Sequence, residues 1–348
     1  MNKKRALIIR LSALGDVIFT IPLANVLKDN GYEVTWITSE KGIDIVKNNP
    51  AVDEAILVPL KKWGKQSFFQ NLKEYLSIIK YLRAKRFDVS IDSQGLIKSG
   101  IWNLFCGAKR RLVSRSAREF SFLGGNEIIE KLSPDFETHV VKNYLKFAKY
   151  LNLKIGSIKA ELPPSSDENI KKIDLLLQEV NSEKPLLVVA PATTWVPKHW
   201  NKEKWKELLK KLEDDFSIVF TGMPNDNELI EYISEGKHLN LAGKTNVLEL
   251  AELFRRADLV LSLDSGSTHL AWASAHPKIV SIFCCTPKTL YAPIGDESKY
   301  IALSGNIECQ PCHLRRCPLK NDKNLCTLKP SVEEVYDAIY KLLPKEDC

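Results

Sequence analysis

Three observations predict an α/β protein built on parallel sheets in two successive domains. Short apolar runs alternate with segments of 3.6-residue period. That alternation runs through the chain twice. Between the two series lies IKAELPPSSDENIKK, whose paired prolines, serines and charges read as a linker. The series are alike in kind but not in sequence, so the second is a separate domain rather than a tandem repeat. At 348 residues the chain is long enough for two ordinary cores. The expected division is 1–163, 164–330, and a C-terminal helix and tail over 331–348.

In the first series RALIIRL reads as a buried strand, followed by an amphipathic helix through Leu27 and a second strand, EVTWIT. EAILVPL, a helix over about residues 69–86, and DVSIDSQ continue the pattern. Residues 107–131 are basic, then glycine-containing, and fit neither period. THVVKNYLKFAKYLNL closes this half as a helix. In the second series PLLVVA, SIVFTG, LNLAG, DLVLSLD and KIVSIFCC are strands, separated by helical segments such as KEKWKELLKKLEDD, NVLELAELFRRA and STHLAWASA. The last helix opens with Ser331 and Glu334, a capping box whose side chains satisfy orphan amides at a helix start. Two such domains are expected to face each other across a cleft, with ligands at the carboxyl ends of the strands.

Composition narrows the function classes. Hydrophobic residues make up 44% and charged residues 27%, as in a globular protein. No apolar run reaches the length of a membrane span, and the basic first residues lead into a strand rather than a secretory signal, so a cytoplasmic location is expected. The formal net charge of +7 suits an anionic partner: a nucleotide, a phosphorylated sugar, an anionic lipid surface or a nucleic acid.

The polar residues at the strand ends carry the chemistry. After LLVVA, the loop PATTWVPKHW offers the hydroxyls of Thr193 and Thr194 and the cation Lys198, the donors a diphosphate needs. After IVFTG, Asp226 and Glu228 are alternative carboxylates for the hydroxyls of a ribose. After LVLSL come Asp264 and then Ser265, Gly266, Ser267 and Thr268, small residues ahead of a helix whose amides and dipole favour an anion, with His269 one turn into that helix. In the first half, DSQGLIKS ends a strand amid Lys61, Lys65, Lys98, Arg115, Arg118 and further cations, a density suited to a polyanionic acceptor. The opening junction RLSALGDVIFTIP is the exception. It has the strand–turn–helix form of a phosphate site but carries Asp16 and lacks the glycine fingerprint of dinucleotide-binding enzymes.

LSALGDVIFTIPL, DSQGLIKSG, PATTWVPKHWNKEKWKEL and DSGSTHLAWA, in this order and at these distances, resemble the ADP-heptose:lipopolysaccharide heptosyltransferases of glycosyltransferase family 9. Within that family, DSQGLIKSG and TTWVPKHW look most like heptosyltransferase I. The resemblance covers nearly the whole chain. It implies a GT-B fold, two Rossmann-like α/β/α domains with the acceptor on the first and the nucleotide sugar on the second. It implies inverting transfer of heptose from ADP-heptose to the Kdo/heptose inner core of lipopolysaccharide, with a Kdo-lipid A or heptosylated acceptor. No cofactor is required for transfer. Asp16 is then the general base, and Lys198 contacts the donor phosphates. Ser12, Gly15, Lys61, Lys65, Gln94, Lys98, Arg115 and Arg118 are the expected acceptor side. A peripheral contact with the inner face of the cytoplasmic membrane follows from the same resemblance.

Eight cysteines are present, and four of them, Cys309, Cys312, Cys317 and Cys326, form C-x2-C-x4-C-x8-C within residues 309–326. Four thiolates can complete a tetrahedral zinc or iron site, and a reducing compartment favours that use over disulfides. Three alternatives compete with the heptosyltransferase reading. The first is the same fold with another nucleotide sugar or a protein acceptor. The second is a nucleic-acid-binding protein with a zinc knuckle, which leaves DSGSTHL and TTWVPKHW unexplained; no nucleic acid is expected. The third, a dinucleotide-dependent dehydrogenase, is opposed by the missing glycine fingerprint.

Overall fold

The computed structural model describes residues 3–132, 137–320 and 324–344. The chain divides into two compact units, Met1–Pro164 and Ser165–Cys348. Each unit holds one six-stranded parallel sheet.

In the first unit the strands are β1 (Lys4–Ile9), β2 (Tyr32–Ser39), β3 (Glu54–Val58), β4 (Val89–Asp92), β5 (Arg110–Ser114) and β6 (Glu127–Ile129), in the order β3-β2-β1-β4-β5-β6. In the second they are β7 (Leu186–Ala190), β8 (Ser217–Phe220), β9 (Leu239–Asn240), β10 (Leu259–Leu263), β11 (Lys278–Phe283) and β12 (Tyr300–Ser304), in the order β12-β11-β10-β7-β8-β9. The two orders are the same when each is counted from its unit's first strand. Both run outward from a central pair and reverse direction there. That reversal opens a crevice beyond the carboxyl ends of β1 and β4, and of β7 and β10.

The central strands are apolar on both faces because helices cover both. Leu7, Ile8 and Ile9 are fully buried, as are Val188, Val189, Val260 and Leu261. Phe87, Trp102 and Leu82 pack one side of the first sheet. Trp205, Leu208 and Leu212 pack the second, together with Val335 and Ile339 of the C-terminal helix Val332–Leu342. That helix starts as its capping box requires: the Glu334 amide donates to Ser331 Oγ at 3.2 Å and the Ser331 amide donates to Glu334 Oε2 at 2.7 Å. Residues 345–348 of the expected tail lie outside the described residues.

Three readings of local structure need correction. Residues 107–131, unassigned from the sequence, supply β5 and β6. Arginines at the start of β5 hide its apolar pattern, and they have a structural use: the Arg110 guanidinium donates to both carboxylate oxygens of Glu127 at 2.7 and 2.8 Å, tying β5 to the edge strand. The expected linker is shorter than its composition suggests, because Ser166 caps a helix over Asp167–Leu177 by accepting from the Asn169 amide. β12 was not foreseen; it is a half-buried edge strand. No helix among the described residues is long and apolar enough to cross a membrane.

Candidate active site

Asp16 lies in the first turn of the helix Leu14–Asp29, which leaves β1. The residue at the N-cap is Ala13, which offers no side-chain oxygen. Asp16 therefore reaches back, and Oδ2 accepts from the Ala13 amide at 3.3 Å. Its other oxygen, Oδ1, meets Arg10 Nη2 at 2.8 Å and accepts from the Tyr144 hydroxyl at 3.4 Å. Three donors thus orient the carboxylate, yet 37% of its side chain remains exposed. Two bare oxygens have about four lone-pair directions, so acceptor capacity is left over.

Arg10 is buried, with its guanidinium carbon 5.1 Å from the centre of the Tyr144 ring. Burial works against its charge, but Tyr144, Asp16 and Asp92 outweigh that and hold its pKa above the ordinary arginine value. Arg10 also donates to the Ser93 carbonyl, which joins the end of β1 to the end of β4.

Asp92 ends β4 and organises the next turn. Its Oδ1 accepts from the Gln94 and Gly95 amides at 3.0 and 2.9 Å, and its Oδ2 from the Ser99 hydroxyl at 3.1 Å. Burial pushes this carboxyl up to about 6, against those hydrogen bonds and the charge of Arg10. The turn requires Gly95, whose φ is +67° and whose missing Cβ would stand 3.3 Å from the Ala117 backbone. Gln94 Oε1 accepts from the Leu11 amide at 2.8 Å, and Lys98 donates to Ser12 Oγ at 3.4 Å. Ser12 and Asp16 past β1, and Gln94 and Lys98 past β4, thus come to one end of the sheet because β1 and β4 are neighbours.

The other expected acceptor residues are less tightly joined. The Arg118 amide donates to the Gly95 carbonyl at 2.9 Å, which places Arg118 on the same rim. Arg115 is exposed just past β5. Lys61 and Lys65 are exposed after β3, and among the described residues no hydrogen bond or ion pair links their side chains to Asp16. Gly15 has no positive φ, so the helix start does not use its conformational freedom.

The second unit repeats the arrangement with the signs exchanged. Lys198, at the end of the short 3-10 turn Val196–Lys198 after β7, meets Asp264 at the end of β10. Lys198 Nζ is 2.6 Å from Asp264 Oδ2, with side chains 15% and 3% exposed. The same ammonium lies 4.7 Å over the Trp195 ring. Asp264 Oδ2 accepts from the Thr286 hydroxyl at 2.6 Å, and His269 Nε2 stands 3.7 Å from Oδ1. His269 is therefore a buried neighbour of the hub carboxylate. Thr193 donates to the Asp264 carbonyl at 3.4 Å, and Thr194 is exposed.

Ser265 is the N-cap of the helix Gly266–Ala273 but its side chain makes no capping bond. Its hydroxyl oxygen is buried with no hydrogen-bond partner among the described residues, beside amides that the helix leaves open. The Thr268 hydroxyl is committed inward, to Ser262 Oγ at 2.7 Å and the Leu263 carbonyl at 2.5 Å. Only its amide can serve a ligand. Gly266 and Ser267 continue the same first turn. Asp226 Oδ2 accepts from the Met223 amide at 2.7 Å and caps that turn, whereas Glu228 is exposed.

The cysteine-rich segment packs against the Lys198 loop. Cys309, Cys312, Cys317 and Cys326 line one small pocket with Pro197, Pro318, Leu319 and Leu325. Burial and the three neighbouring thiols push the Cys326 thiol up to about 11. No group of three or more histidine, cysteine or acidic side chains among the described residues is arranged to hold a metal ion. The His313 ring stacks on Trp195 at 6.0 Å and the Arg315 guanidinium lies 5.0 Å from the same ring.

Sequence reasoning missed Arg10, Tyr144, Trp195 and Thr286 as site residues. An arginine directly after the apolar run ALII was a signal, since a charge at a buried strand end needs a partner. Tyr144 gave none, because it arrives on a helix 128 positions from Asp16.

Residues 75–323 match the family model described as glycosyltransferase family 9 (heptosyltransferase). The lipopolysaccharide core heptosyltransferase OpsX of Haemophilus influenzae is 29% identical over 79% of this chain and 78% of its own length. Lipopolysaccharide heptosyltransferase 1 of Escherichia coli O18:K1:H7 is 26% identical over 87% of this chain and 92% of its own. The solved structure of E. coli heptosyltransferase WaaC with ADP superposes with a TM-score of 0.73, at 23% identity, covering 97% of this chain and 99% of that one. The two parallel sheets and this likeness make the fold GT-B.

Proposed function

Because the chain belongs to glycosyltransferase family 9, we propose that it transfers a heptose from ADP-heptose to the Kdo/heptose inner core of lipopolysaccharide, with inversion at the anomeric carbon. The observation that carries this reading is the pair of opposite ionic clusters at equivalent strand ends. Asp16 takes the proton of an acceptor hydroxyl as its oxygen bonds to the anomeric carbon. The bond from that carbon to the diphosphate oxygen breaks, and ADP leaves with the electron pair. General-base assistance of this kind is worth about 10²–10⁴ in rate. Lys198, the hydroxyls of Thr193, Thr194 and Ser265, and the amides of Gly266, Ser267 and Thr268 meet the charge growing on ADP. With Asp226 engaged in its own turn, Glu228 is the better ribose ligand. Gln94, Lys98, Ser12 and Arg118 orient the anionic acceptor, and Arg115, Lys61 and Lys65 add to the field that attracts it. An acceptor built on lipid A puts the protein at the inner face of the cytoplasmic membrane as a peripheral protein.

Four thiols are the donor type of a structural zinc or iron site, although as placed no three of the cysteines lining this pocket converge on one ion. Deprotonated on a metal, Cys309, Cys312, Cys317 and Cys326 would hold the segment that backs Pro197. Metal analysis of purified protein and of Cys309→Ser checks this, with loss of stoichiometric metal in the variant as the expected result. The functional reading is tested by incubating the enzyme with ADP-heptose and Kdo-lipid A and analysing the product. A heptosylated lipid is expected. No product with any inner-core acceptor overturns the assignment, and preference for UDP- or GDP-sugars over ADP-sugars would replace its donor.

A further inference from the structure

The helix Ile97–Phe105 buries one face and leaves an apolar stripe on the other. Ser99, Gly100, Trp102 and Asn103 are buried. Ile97, Ile101, Leu104 and Phe105, spaced i, i+4, i+7 and i+8, are exposed. The turn Ser121–Gly124 lies against this helix with no side chain between the two backbones. A Cβ on Gly100 would sit 2.8 Å from the Ser121 carbonyl oxygen. This contact brings Phe120, Phe122 and Leu123, which are 73%, 40% and 63% exposed, beside the helix. Scattered exposed apolar residues are ordinary, but seven gathered on two touching segments are not.

The rim decides what such a surface meets. Lys98 lies on the helix itself, and Arg115 and Arg118 lie just ahead of the turn; all three are exposed. The one acid among them, Glu119, accepts from the Ile97 amide at 3.2 Å. Apolar side chains ringed by cations match an anionic bilayer surface, where rings and aliphatic groups enter below the headgroups and cations meet the phosphates. Continuity points the same way, because Lys98 of this helix also reaches Ser12 in the Asp16 cluster.

We propose that the Ile97–Phe105 helix and the Phe120–Leu123 turn dock the protein on an anionic lipid bilayer, beside the cluster that handles the acceptor. The proposal rests on the lipid-linked acceptor for its use, but vesicle binding is read without donor or acceptor, so either idea can fail alone. Full-length protein is sedimented with phosphatidylcholine vesicles with and without phosphatidylglycerol. Binding to the anionic vesicles, weakened by salt, is expected. The double variant F120S/L123S should lower partitioning roughly tenfold or more while keeping its melting temperature, since both residues are exposed. As a measurement independent of that variant's folding, an environment-sensitive dye on Leu123→Cys should shift to the blue on anionic vesicles. Absent binding of the unaltered protein, equal binding of F120S/L123S, or an unshifted dye would overturn the proposal. So would self-association of the unaltered protein that F120S/L123S abolishes, because a second copy would then cover the surface.

Discussion

The two units share one strand order and place their polar clusters at the same point of it, but with opposite charge in the working position. In the first, a partly exposed carboxylate, Asp16, is held by a buried cation, Arg10. In the second, the cation Lys198 is held by a buried carboxylate, Asp264. Topology therefore fixes where a ligand site can form, and on the proposed reading a few side chains decide whether it takes a proton or steadies a leaving diphosphate. A base needs a carboxylate that water and an acceptor hydroxyl can reach. A leaving diphosphate needs a cation whose own counter-ion is too deep to be displaced.

The largest expected effects come from removing each working group in turn. Asp16→Asn keeps the size and loses the base, so turnover should fall by about 10²–10⁴ with ADP binding intact, as measured by steady-state kinetics and calorimetry. Lys198→Ala should break the comparison from the other side. Transfer should fall by about 10²–10³ together with donor affinity. Because Asp264 would then be a buried charge without its partner, denaturant unfolding should also show a loss of about 3–5 kcal/mol. A smaller effect is expected for Arg10→Met, which should lower kcat roughly ten- to a hundredfold by freeing the Asp16 carboxylate. Arg10→Lys should restore part of that rate.

The smallest effect concerns the buried carboxyl at the end of β4. With a folded value of about 6 against an ordinary 3.8, Asp92 in the native state keeps a proton that the unfolded chain has released between those values. Its contribution to stability is fully present below the ordinary value and is lost as pH rises through about 6. Urea unfolding of the unaltered protein should thus weaken across that window, and Asp92→Asn should flatten the slope.

Much of this was legible in the sequence, for physical reasons. The central strands are apolar on both faces, so RALII, LLVVA and LVLSL stood out as runs that only a covered parallel sheet can bury. The residues just past them stood out as candidates because ligands of such sheets collect there. Edge strands were harder to see: β5 begins with two arginines and β12 is only half buried, so neither shows a clean apolar run. Partners that arrive from distant segments, such as Tyr144 on Asp16 and Thr286 on Asp264, leave no local trace at all. Thr268 shows the opposite case, where a residue type suited to a ligand turns its hydroxyl inward to hold the helix on β10.

The division of labour between the two clusters is tested most directly by measuring ADP affinity and single-turnover transfer on the same Asp16→Asn preparation. The account predicts ADP affinity like that of the unaltered enzyme, with transfer lower by about a hundredfold or more. Near-normal transfer, or a loss of ADP binding that by itself explains the slower reaction, would contradict it.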